Sequence, residues 1–331
     1  MRAPLLASAF FLAGLPALAA EAPPPADAPP AAPAATKKEE PPVRPPTVAN
    51  VAYGSHERQV LDFWRAESPR PTPLVFYIHG GGWVNGDKAR GAPVDRYLAA
   101  GISVVAINYR FVTHAILAGV QPPVQWPLHD AARALQWVRS KAAEWNLDSA
   151  RIGATGGSAG ACSSLWLAFH ADLADPRSAD PVARQSTRLW CAAVTGAQTT
   201  LDPAQMQEWT PNSRYGGHAF GFMPDPRNTR TRDTQFAEFL AARERLLPWI
   251  AEYSPFAHVS AGDPPVYLSY AAPPALGQEQ KDPTHTANFG VKLQERLREV
   301  GVPCELVYPG APEVRYPRVH DYLIAKLQER R

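Results

Sequence analysis

The chain has 331 residues, with 33 basic and 31 acidic side chains and a formal net charge of +2. Nearly equal numbers of acidic and basic side chains produce no long-range electrostatic field that would attract nucleic acid or an anionic membrane surface. We therefore expect neither as a partner. The cysteines Cys162, Cys191 and Cys304 are odd in number and far apart. This pattern favours small buried apolar residues over a disulfide framework or a metal site.

The first 46 residues differ in composition from the rest. Residues 1–20 contain Arg2, an apolar stretch and small residues at its end, the layout of a secretory signal peptide with cleavage near Ala19 or Ala20. Residues 21–46 are almost only Ala, Pro and a few charges, which predicts a disordered linker. We therefore expect a secreted or periplasmic protein with no membrane span in the mature chain. An uncleaved N-terminal anchor is the alternative, because a signal peptide usually begins with a positively charged region and this one has a single arginine.

Apolar strands and amphipathic helices alternate over residues 47–331, which predicts one α/β catalytic domain. An antiparallel hairpin is expected at residues 48–53 and 59–64, followed by continuous apolar strands at 74–78, 102–107, 151–154, 191–194, 266–270 and 305–308. Such uninterrupted strands are typical of a parallel sheet covered on both faces. Helices are expected at residues 128–145, 161–169, 287–300 and 321–329.

Two segments interrupt this alternation. Residues 195–256 are rich in Pro, Gly, Asn and Arg and are too long for a simple connection, so they predict a cap or lid over the site. A shorter insertion runs over residues 111–127. Four aromatic residues are candidates for lining an aromatic-friendly pocket, although each fits core packing as well: Trp83, Trp126, Trp209 and Phe222.

The first motif that carries chemistry is His-Gly-Gly-Gly-Trp at residues 79–83, directly after an expected strand. Glycine lets the backbone turn sharply and expose its N–H groups, because no Cβ projects toward a ligand. Gly81 and Gly82 are therefore candidate donors to an oxyanion. By itself, the motif fits a tight turn that needs glycine for steric reasons equally well. We expect His79 to brace the turn by hydrogen bonds.

The second motif is Gly-x-Ser-x-Gly at residues 156–160, between an expected strand and an expected helix. A nucleophile elbow requires this context, with the Ser158 hydroxyl exposed at the carboxyl end of the strand. The helix start behind it presents the N–H of Ala159 toward the same place, where negative charge is stabilised. The two motifs together predict an acyl-transfer site with Ser158 as its nucleophile.

These motifs, with Asn-Gly-Asp-Lys at residues 85–88 and Asn-Tyr-Arg at 108–110, resemble the α/β-hydrolase esterases. The most similar branches are the bifunctional feruloyl and acetylxylan esterase-like (BD-FAE-like) and the hormone-sensitive-lipase-like carboxylesterases. The resemblance is strong over residues 55–175 and looser in the C-terminal third. It implies an α/β-hydrolase fold with a mostly parallel, doubly wound sheet, serine carboxylesterase activity, and neither a metal nor an organic cofactor. The oxyanion hole that it implies consists of the N–H groups of Gly81, Gly82 and Ala159.

A serine nucleophile needs a base and an acid that orients the base. In the family that this chain resembles, the acid lies in the loop after the strand expected at 266–270. Asp282 fits, because the next helix begins shortly after it. Asp282 could instead cap that helix, with Pro283 in its first turn. The alternative acids are Glu279 and Asp263.

The histidine departs from the family pattern. Members of the family carry it just beyond the last strand, where this chain has Pro312 and Glu313. The next histidine, His320, lies at the far end of that loop, and we expect it to be the base; a surface histidine at a helix start is the alternative. His285 could also reach the pocket, but it precedes the last strand and would break the usual chain order.

Two functions of different classes follow. The first is a serine esterase acting on a small acyl or aryl ester, including acetyl or feruloyl groups on polysaccharide, with Ser158, His320 and Asp282 as its triad. The second is a binding protein of the same fold that lost its base, which Glu313 in the expected histidine position suggests. A peptidase has less support, because neither a propeller-like domain nor an acidic amine-binding pair is evident.

Overall fold

The computed structural model describes residues 44–89 and 93–329. The expected signal peptide and nearly all of the expected linker lie outside these residues. Within them the chain forms one eight-stranded sheet. Its strands are β1 (Val48–Ala52), β2 (Val60–Trp64), β3 (Thr72–Ile78), β4 (Ser103–Ile107), β5 (Leu147–Gly157), β6 (Cys191–Thr195), β7 (Val266–Ser269) and β8 (Cys304–Val307).

The strands are ordered β1-β2-β4-β3-β5-β6-β7-β8. β1 and β2 pair as the expected antiparallel hairpin, β2 is antiparallel to β4, and every later pair is parallel. The expected α/β fold class and the mostly parallel sheet are therefore confirmed. Because β3, β5, β6, β7 and β8 all run in one direction, the loops that follow them open at the same edge of the sheet.

The helices are α1 (Val94–Ala99), α2 (Val112–Leu117), α3 (Gln125–Ser140), α4 (Ala142–Trp145), α5 (Ala159–Phe169), α6 (Pro203–Trp209), α7 (Phe236–Ala241), α8 (Arg243–Tyr253), α9 (Pro255–His258), α10 (Asn288–Glu299) and α11 (Val319–Gln328). The helix expected at residues 128–145 is thus two helices, α3 and α4. Among the described residues, no helix is long and apolar enough to cross a bilayer.

Helices cover both faces of the sheet, which explains the continuous apolar strands. On β3, Phe76 packs into the larger core with helices α3, α5 and α10, whereas Val75 packs into the smaller core with α1 and α11. Successive side chains of a strand point to opposite faces, so a strand such as β3 supplies both cores. Cys162 and Cys191 are buried free thiols in these cores, as expected, whereas the free thiol Cys304 at the start of β8 is only half-buried.

The segment between β6 and β7 contains helices α6 to α9 and two short 3-10 turns, at Gly217–Phe220 and Thr229–Thr231. This segment packs on the larger core, with Trp209 against Phe256 and Phe289. The cap or lid role expected for residues 195–256 remains a prediction.

Candidate active site

Ser158 lies between the end of β5 and the start of α5. Its backbone has φ 52° and ψ −123°, a conformation that is strained for a residue with a side chain. Its N–H donates to the carbonyl of Thr195 at 3.0 Å, and its carbonyl accepts from the N–H of Cys162 at 3.0 Å. These bonds hold the tight strand-to-helix turn that a nucleophile elbow requires.

The two outer glycines of the elbow are required by close backbone contacts. A Cβ on Gly160 would collide with the carbonyl oxygen of Ile78 and would lie 2.7 Å from that of His79. A Cβ on Gly156 would meet the same Ile78 oxygen. Gly157, by contrast, has space for a Cβ, whose nearest neighbour would be the Thr195 oxygen at 3.9 Å. The elbow therefore packs directly on the end of β3, next to residues 79–83.

Residues 81–83 turn the chain through three successive positive φ angles, at Gly81 (101°), Gly82 (61°) and Trp83 (55°). For tryptophan this conformation is an outlier, and the fully buried indole fixes it by donating to the Ser163 hydroxyl at 3.0 Å. In the part of the chain that the structure describes, the N–H groups of Gly81 and Gly82 donate to no protein acceptor. Gly82 is itself buried, with the Arg232 guanidinium against it.

His79 braces the same turn, as expected. Its Nδ1–H donates to the Gly80 carbonyl at 2.7 Å, its Nε2 accepts from Arg58 at 3.3 Å, and its ring stacks on Tyr109 with centroids 4.2 Å apart. Burial, with a smaller contribution from the Arg58 charge, lowers the pKa of His79 to about 4. His79 is therefore a neutral structural imidazole rather than a base for Ser158.

The histidine at the nucleophile is His285. Its Nε2 lies 3.0 Å from the Ser158 Oγ, and its Nδ1 lies 2.8 Å from the Asp282 Oδ2. A carboxylate can only accept, so Nδ1 carries the proton and Nε2 presents its lone pair to the serine hydroxyl. Asp282 also accepts at Oδ1 from the backbone N–H groups of Thr284 and His285, both at 3.2 Å. Both residues of the pair are thus positioned by one short Asp-x-x-His turn.

The Asp-x-x-His turn is held from the loops around it. Gln198, fully buried after β6, donates to the Thr284 carbonyl at 2.6 Å. Asn212 exchanges two hydrogen bonds with the backbone of Gln280, at 2.9 and 3.1 Å. Gly196 has φ 58°, and a Cβ there would lie 3.3 Å from the Cβ of His285. The turn is nevertheless open to solvent, because the side chains of His285 and Asp282 are 39% and 63% exposed.

The structure places His320 elsewhere. It lies in the first turn of α11 and lines a neighbouring cavity of about 290 Å³, which shares Tyr77, Gly157 and Thr195 with the cavity at Ser158 but does not include Ser158. Its Nε2 is 3.5 Å from the Asp321 Oδ1 and has no hydrogen-bond partner among the described residues. The reason is the packing of α11, whose Tyr322 is buried in the smaller core, whereas α5, which follows Ser158, packs into the larger core.

The alternative acids also lie apart from the histidine. Asp263 is buried before β7, where it accepts from the N–H of Ser260 at 2.7 Å, and Glu279 is exposed. The sequence pattern predicted Ser158 as the nucleophile and Asp282 as the acid. It favoured His320 over His285 as the base, because the family order places the histidine after the last strand. The i, i+3 spacing of Asp282 and His285 was the signal that pointed to the observed pair.

A cavity of about 890 Å³ opens at Ser158. It is lined by Tyr77, Gly80, Gly157, Ser158, Thr195, Gly196, Ala271, Ala272, Gln280, Lys281, Asp282, His285 and Thr286. The four aromatic residues considered for pocket lining are not in it. Trp83 and Trp209 are core residues, Phe222 packs on Phe239, and Trp126 lies under the Arg110 guanidinium.

The segment between β6 and β7 also contacts the glycine turn at residues 81–83. His218, fully buried, donates from Nε2 to the Gly82 carbonyl at 2.9 Å, and its Nδ1 is 3.1 Å from the Asp233 Oδ1. Burial opposes the charge on Asp233, yet the hydrogen bonds and charges of His218 and Arg232 keep the pKa of that carboxyl lowered. The segment therefore fixes the Gly82–Trp83 peptide in place.

Comparisons with known proteins agree with this architecture. The BD-FAE family model matches residues 61–273, well over half of the chain. A Mycobacterium tuberculosis protein named "Probable carboxylic ester hydrolase LipM" is 30% identical over 236 residues, which cover 66% of this chain and 46% of that protein. The chain thus spans less than half the length of this relative.

Solved structures share the fold at low identity. The acetyl ester-xyloside bifunctional hydrolase from Caldicellulosiruptor lactoaceticus has a TM-score of 0.55 at 23% identity, covering 75% of this chain and 76% of that one. A truncated carbohydrate esterase from gut microbiota has a TM-score of 0.60 at 19% identity, covering 85% and 95%. With the elbow, the glycine turn and the strand order described above, the family match shows that the chain belongs to the BD-FAE family of α/β-hydrolases.

Proposed function

We propose that the protein is a serine carboxylic-ester hydrolase with Ser158 as nucleophile, His285 as general base and Asp282 as the acid that orients it. The observation that carries the proposal is the chain of two short contacts, 3.0 Å from Ser158 Oγ to His285 Nε2 and 2.8 Å from His285 Nδ1 to Asp282 Oδ2. Both lie within the range required for proton transfer in acyl-transfer enzymes. His285 thus replaces His320 as the proposed base.

The geometry supports a two-step reaction. Ser158 Oγ attacks the ester carbonyl carbon while its proton passes to His285 Nε2, and the carbonyl oxygen becomes an oxyanion. The N–H groups of Gly81, Gly82 and Ala159 are the proposed donors to that oxygen, because Ala159 begins α5 directly after Ser158 and the N–H groups of the two glycines have no protein acceptor among the described residues. His285 then returns the proton to the leaving alkoxide, and the acyl-serine remains.

Water completes the cycle. His285 takes a proton from a water molecule that attacks the acyl-serine, a second oxyanion forms at the same donors, and collapse releases the carboxylic acid and restores the Ser158 hydroxyl. The imidazolium that forms in each step lies against the Asp282 carboxylate, which stabilises its charge.

The substrate class that we propose is a small acyl or aryl ester, including acetyl or feruloyl groups on polysaccharide. The open cavity at Ser158, with Gln280, Lys281 and Thr286 at its polar side, has room for a sugar-linked ester. Solved neighbours titled acetyl ester-xyloside hydrolase and carbohydrate esterase agree with this class. The signal-like residues 1–20 agree with a further proposal, that the protein acts in the periplasm or outside the cell.

The test compares two histidines. We expect His285→Gln and Ser158→Ala each to lower kcat/KM for p-nitrophenyl acetate by about 10³-fold or more, because removal of the base or the nucleophile removes the covalent route. The matched control His320→Gln should stay within about threefold of wild type. A fluorophosphonate should label Ser158 in the wild type and in His320→Gln.

Two results would contradict the proposal. Activity that survives in His285→Gln but disappears in His320→Gln, with both variants folded by circular dichroism, would return the base to His320. A folded wild-type protein that neither hydrolyses p-nitrophenyl, acetylxylan and ferulate esters nor reacts with the phosphonate would favour the binding-protein alternative. The contact between His285 and Ser158 weakens the case for that alternative, which was suggested by Glu313 alone.

A further inference from the structure

Three side chains that can bind a metal meet at the far end of α5 from Ser158. His170 follows the last residue of α5, Glu252 lies in the last turn of α8, and His258 ends α9. One ligand atom from each of the three lies within 4.8 Å of the other two. We call these three residues the His-Glu-His cluster.

Backbone carbonyls fix the tautomers of both imidazoles. His170 Nδ1 is 2.8 Å from the Ala171 carbonyl oxygen, and His258 Nε2 is 2.6 Å from the Glu252 carbonyl oxygen. A carbonyl oxygen only accepts, so these two nitrogens carry the protons. Each neutral imidazole therefore keeps its lone pair on the other nitrogen, Nε2 of His170 and Nδ1 of His258. Imidazoles that bind metals are commonly oriented in this way, by a hydrogen bond from the nitrogen that does not bind.

The lone pair of His170 faces a negative group. Its Nε2 is 3.2 Å from the Glu252 Oε1, and both atoms are acceptors when the imidazole is neutral. A cation between them removes the repulsion. Ligand bonds of about 2.0–2.1 Å in a tetrahedral zinc site place neighbouring ligand atoms about 3.3 Å apart, which matches the observed separation.

We propose that the His-Glu-His cluster binds a divalent transition metal, with zinc the best match. Two imidazoles and a carboxylate suit Zn²⁺, whereas Ca²⁺ and Mg²⁺ prefer oxygen ligands alone. The ring nitrogens of His170 and His258 and a carboxylate oxygen of Glu252 supply three ligands, and water completes a tetrahedron. The metal would join α8 and α9, at the end of the β6–β7 segment, to α5.

The role that the position supports is structural. α5 has 11 residues, which at about 1.5 Å per residue separates the cluster from Ser158 by roughly 16 Å, too far for a bound metal to polarise the ester. Trp166 of α5 strengthens the same junction, because its indole N–H donates to the Glu252 carbonyl at 2.9 Å. The inference stands independently of the proposed esterase function.

The experiment uses the full chain without a histidine tag, stripped with EDTA and dialysed into chelator-free buffer. Titration calorimetry with ZnCl₂ should give one site per chain, and excess ZnCl₂ should raise the Tm by about 5 °C or more at a free concentration near 100 times Kd. Glu252→Gln keeps the backbone carbonyl that holds Trp166 and His258 but removes the charge. We expect it to weaken zinc binding at least tenfold and to lose most of the Tm shift.

A second pair of histidines provides the control. The rings of His56 and His114 lie 5.1 Å apart outside the cluster, so His114→Gln should bind zinc as the wild type does. If the wild type takes up no zinc and its Tm is unchanged by ZnCl₂, the cluster is an imidazolium–carboxylate pair and the proposal is wrong. Zinc binding that Glu252→Gln leaves intact would place the metal elsewhere and overturn it too. Ester hydrolysis by the EDTA-stripped protein, measured in parallel, reports separately on Ser158.

Discussion

The two halves of the candidate active site are built in different ways. The nucleophile half, residues 79–83 and 156–160, is backbone packed on backbone, with Trp83 and Ala159 fully buried. The base half, Asp282 and His285, belongs to one surface turn whose side chains are about half exposed. The first half owes its shape to the sheet beneath it, whereas the second owes its shape to a few hydrogen bonds from neighbouring loops.

The positions of the nucleophile and of the base are therefore constrained to different degrees. An elbow can exist only where a strand meets a helix, since its strained serine needs both elements to hold it. A base needs only to reach the serine hydroxyl, and any loop that opens at the same edge of the sheet can supply it. Variants at the packing residues of the nucleophile half should therefore fail in folding, whereas variants of the base half should fail in chemistry.

Packing at the outer glycines should matter most for the stability of the nucleophile half. Gly160→Ala should lower the free energy of unfolding by about 4 kcal/mol, because the new Cβ overlaps the backbone at Ile78 and His79 and neither can move without shifting β3. Gly157→Ala, in the same motif, should cost less than about 0.5 kcal/mol, because its Cβ has room. Urea unfolding followed by tryptophan fluorescence measures both. Equal losses in the two variants would refute the idea that packing sets the elbow.

The next effect is a pH dependence of that stability. The pKa of His79 is about 4 in the folded protein, below the ordinary value of 6.5, so the unfolded chain binds the proton more tightly. Stability from this residue is complete above pH 6.5 and is lost as the pH falls to about 4, by about 3 kcal/mol in all. His79→Gln should remove this part of the slope between pH 7 and pH 4. An unchanged slope would show that His79 does not titrate as a buried neutral group.

Substitution of Asp282, the carboxylate that orients His285, should have a weaker effect on kcat/KM. Asp282→Asn should lower kcat/KM by about 10²-fold, some 2.7 kcal/mol in the barrier, rather than the roughly 10⁴-fold loss seen when a triad carboxylate is buried. The carboxylate is 63% exposed, so water can replace part of its interaction with His285. Glu279→Gln, in the same loop, should remain within about twofold of wild type. A 10⁴-fold loss in Asp282→Asn would mean that the turn closes over the site when substrate binds.

The same contrast explains how far the sequence predicts this molecule. Continuous apolar strands indicate a sheet that is buried on both faces, so the fold follows from residue types alone. The outer glycines of residues 156–160 indicate a backbone contact that allows no Cβ, so the position of Ser158 follows in the same way. The choice between His285 and His320 depends on how α11 packs and how Gln198 holds the turn at Thr284. Those are contacts distant in sequence, so the i, i+3 spacing of Asp282 and His285 made the pair a candidate but could not rank it above His320.

The Asp-x-x-His turn changes what natural variation can do to this protein. Asp282 and His285 are three residues apart, so one short turn sets the distance between their side chains. A change in the length of a neighbouring loop need not alter that distance. If these residues serve as we propose, the loop at residues 308–318 carries no group of the relay, and its Tyr316 is held by packing on Tyr322 rather than by the reacting groups. Changes in the length of that loop therefore need not disturb the reacting atoms.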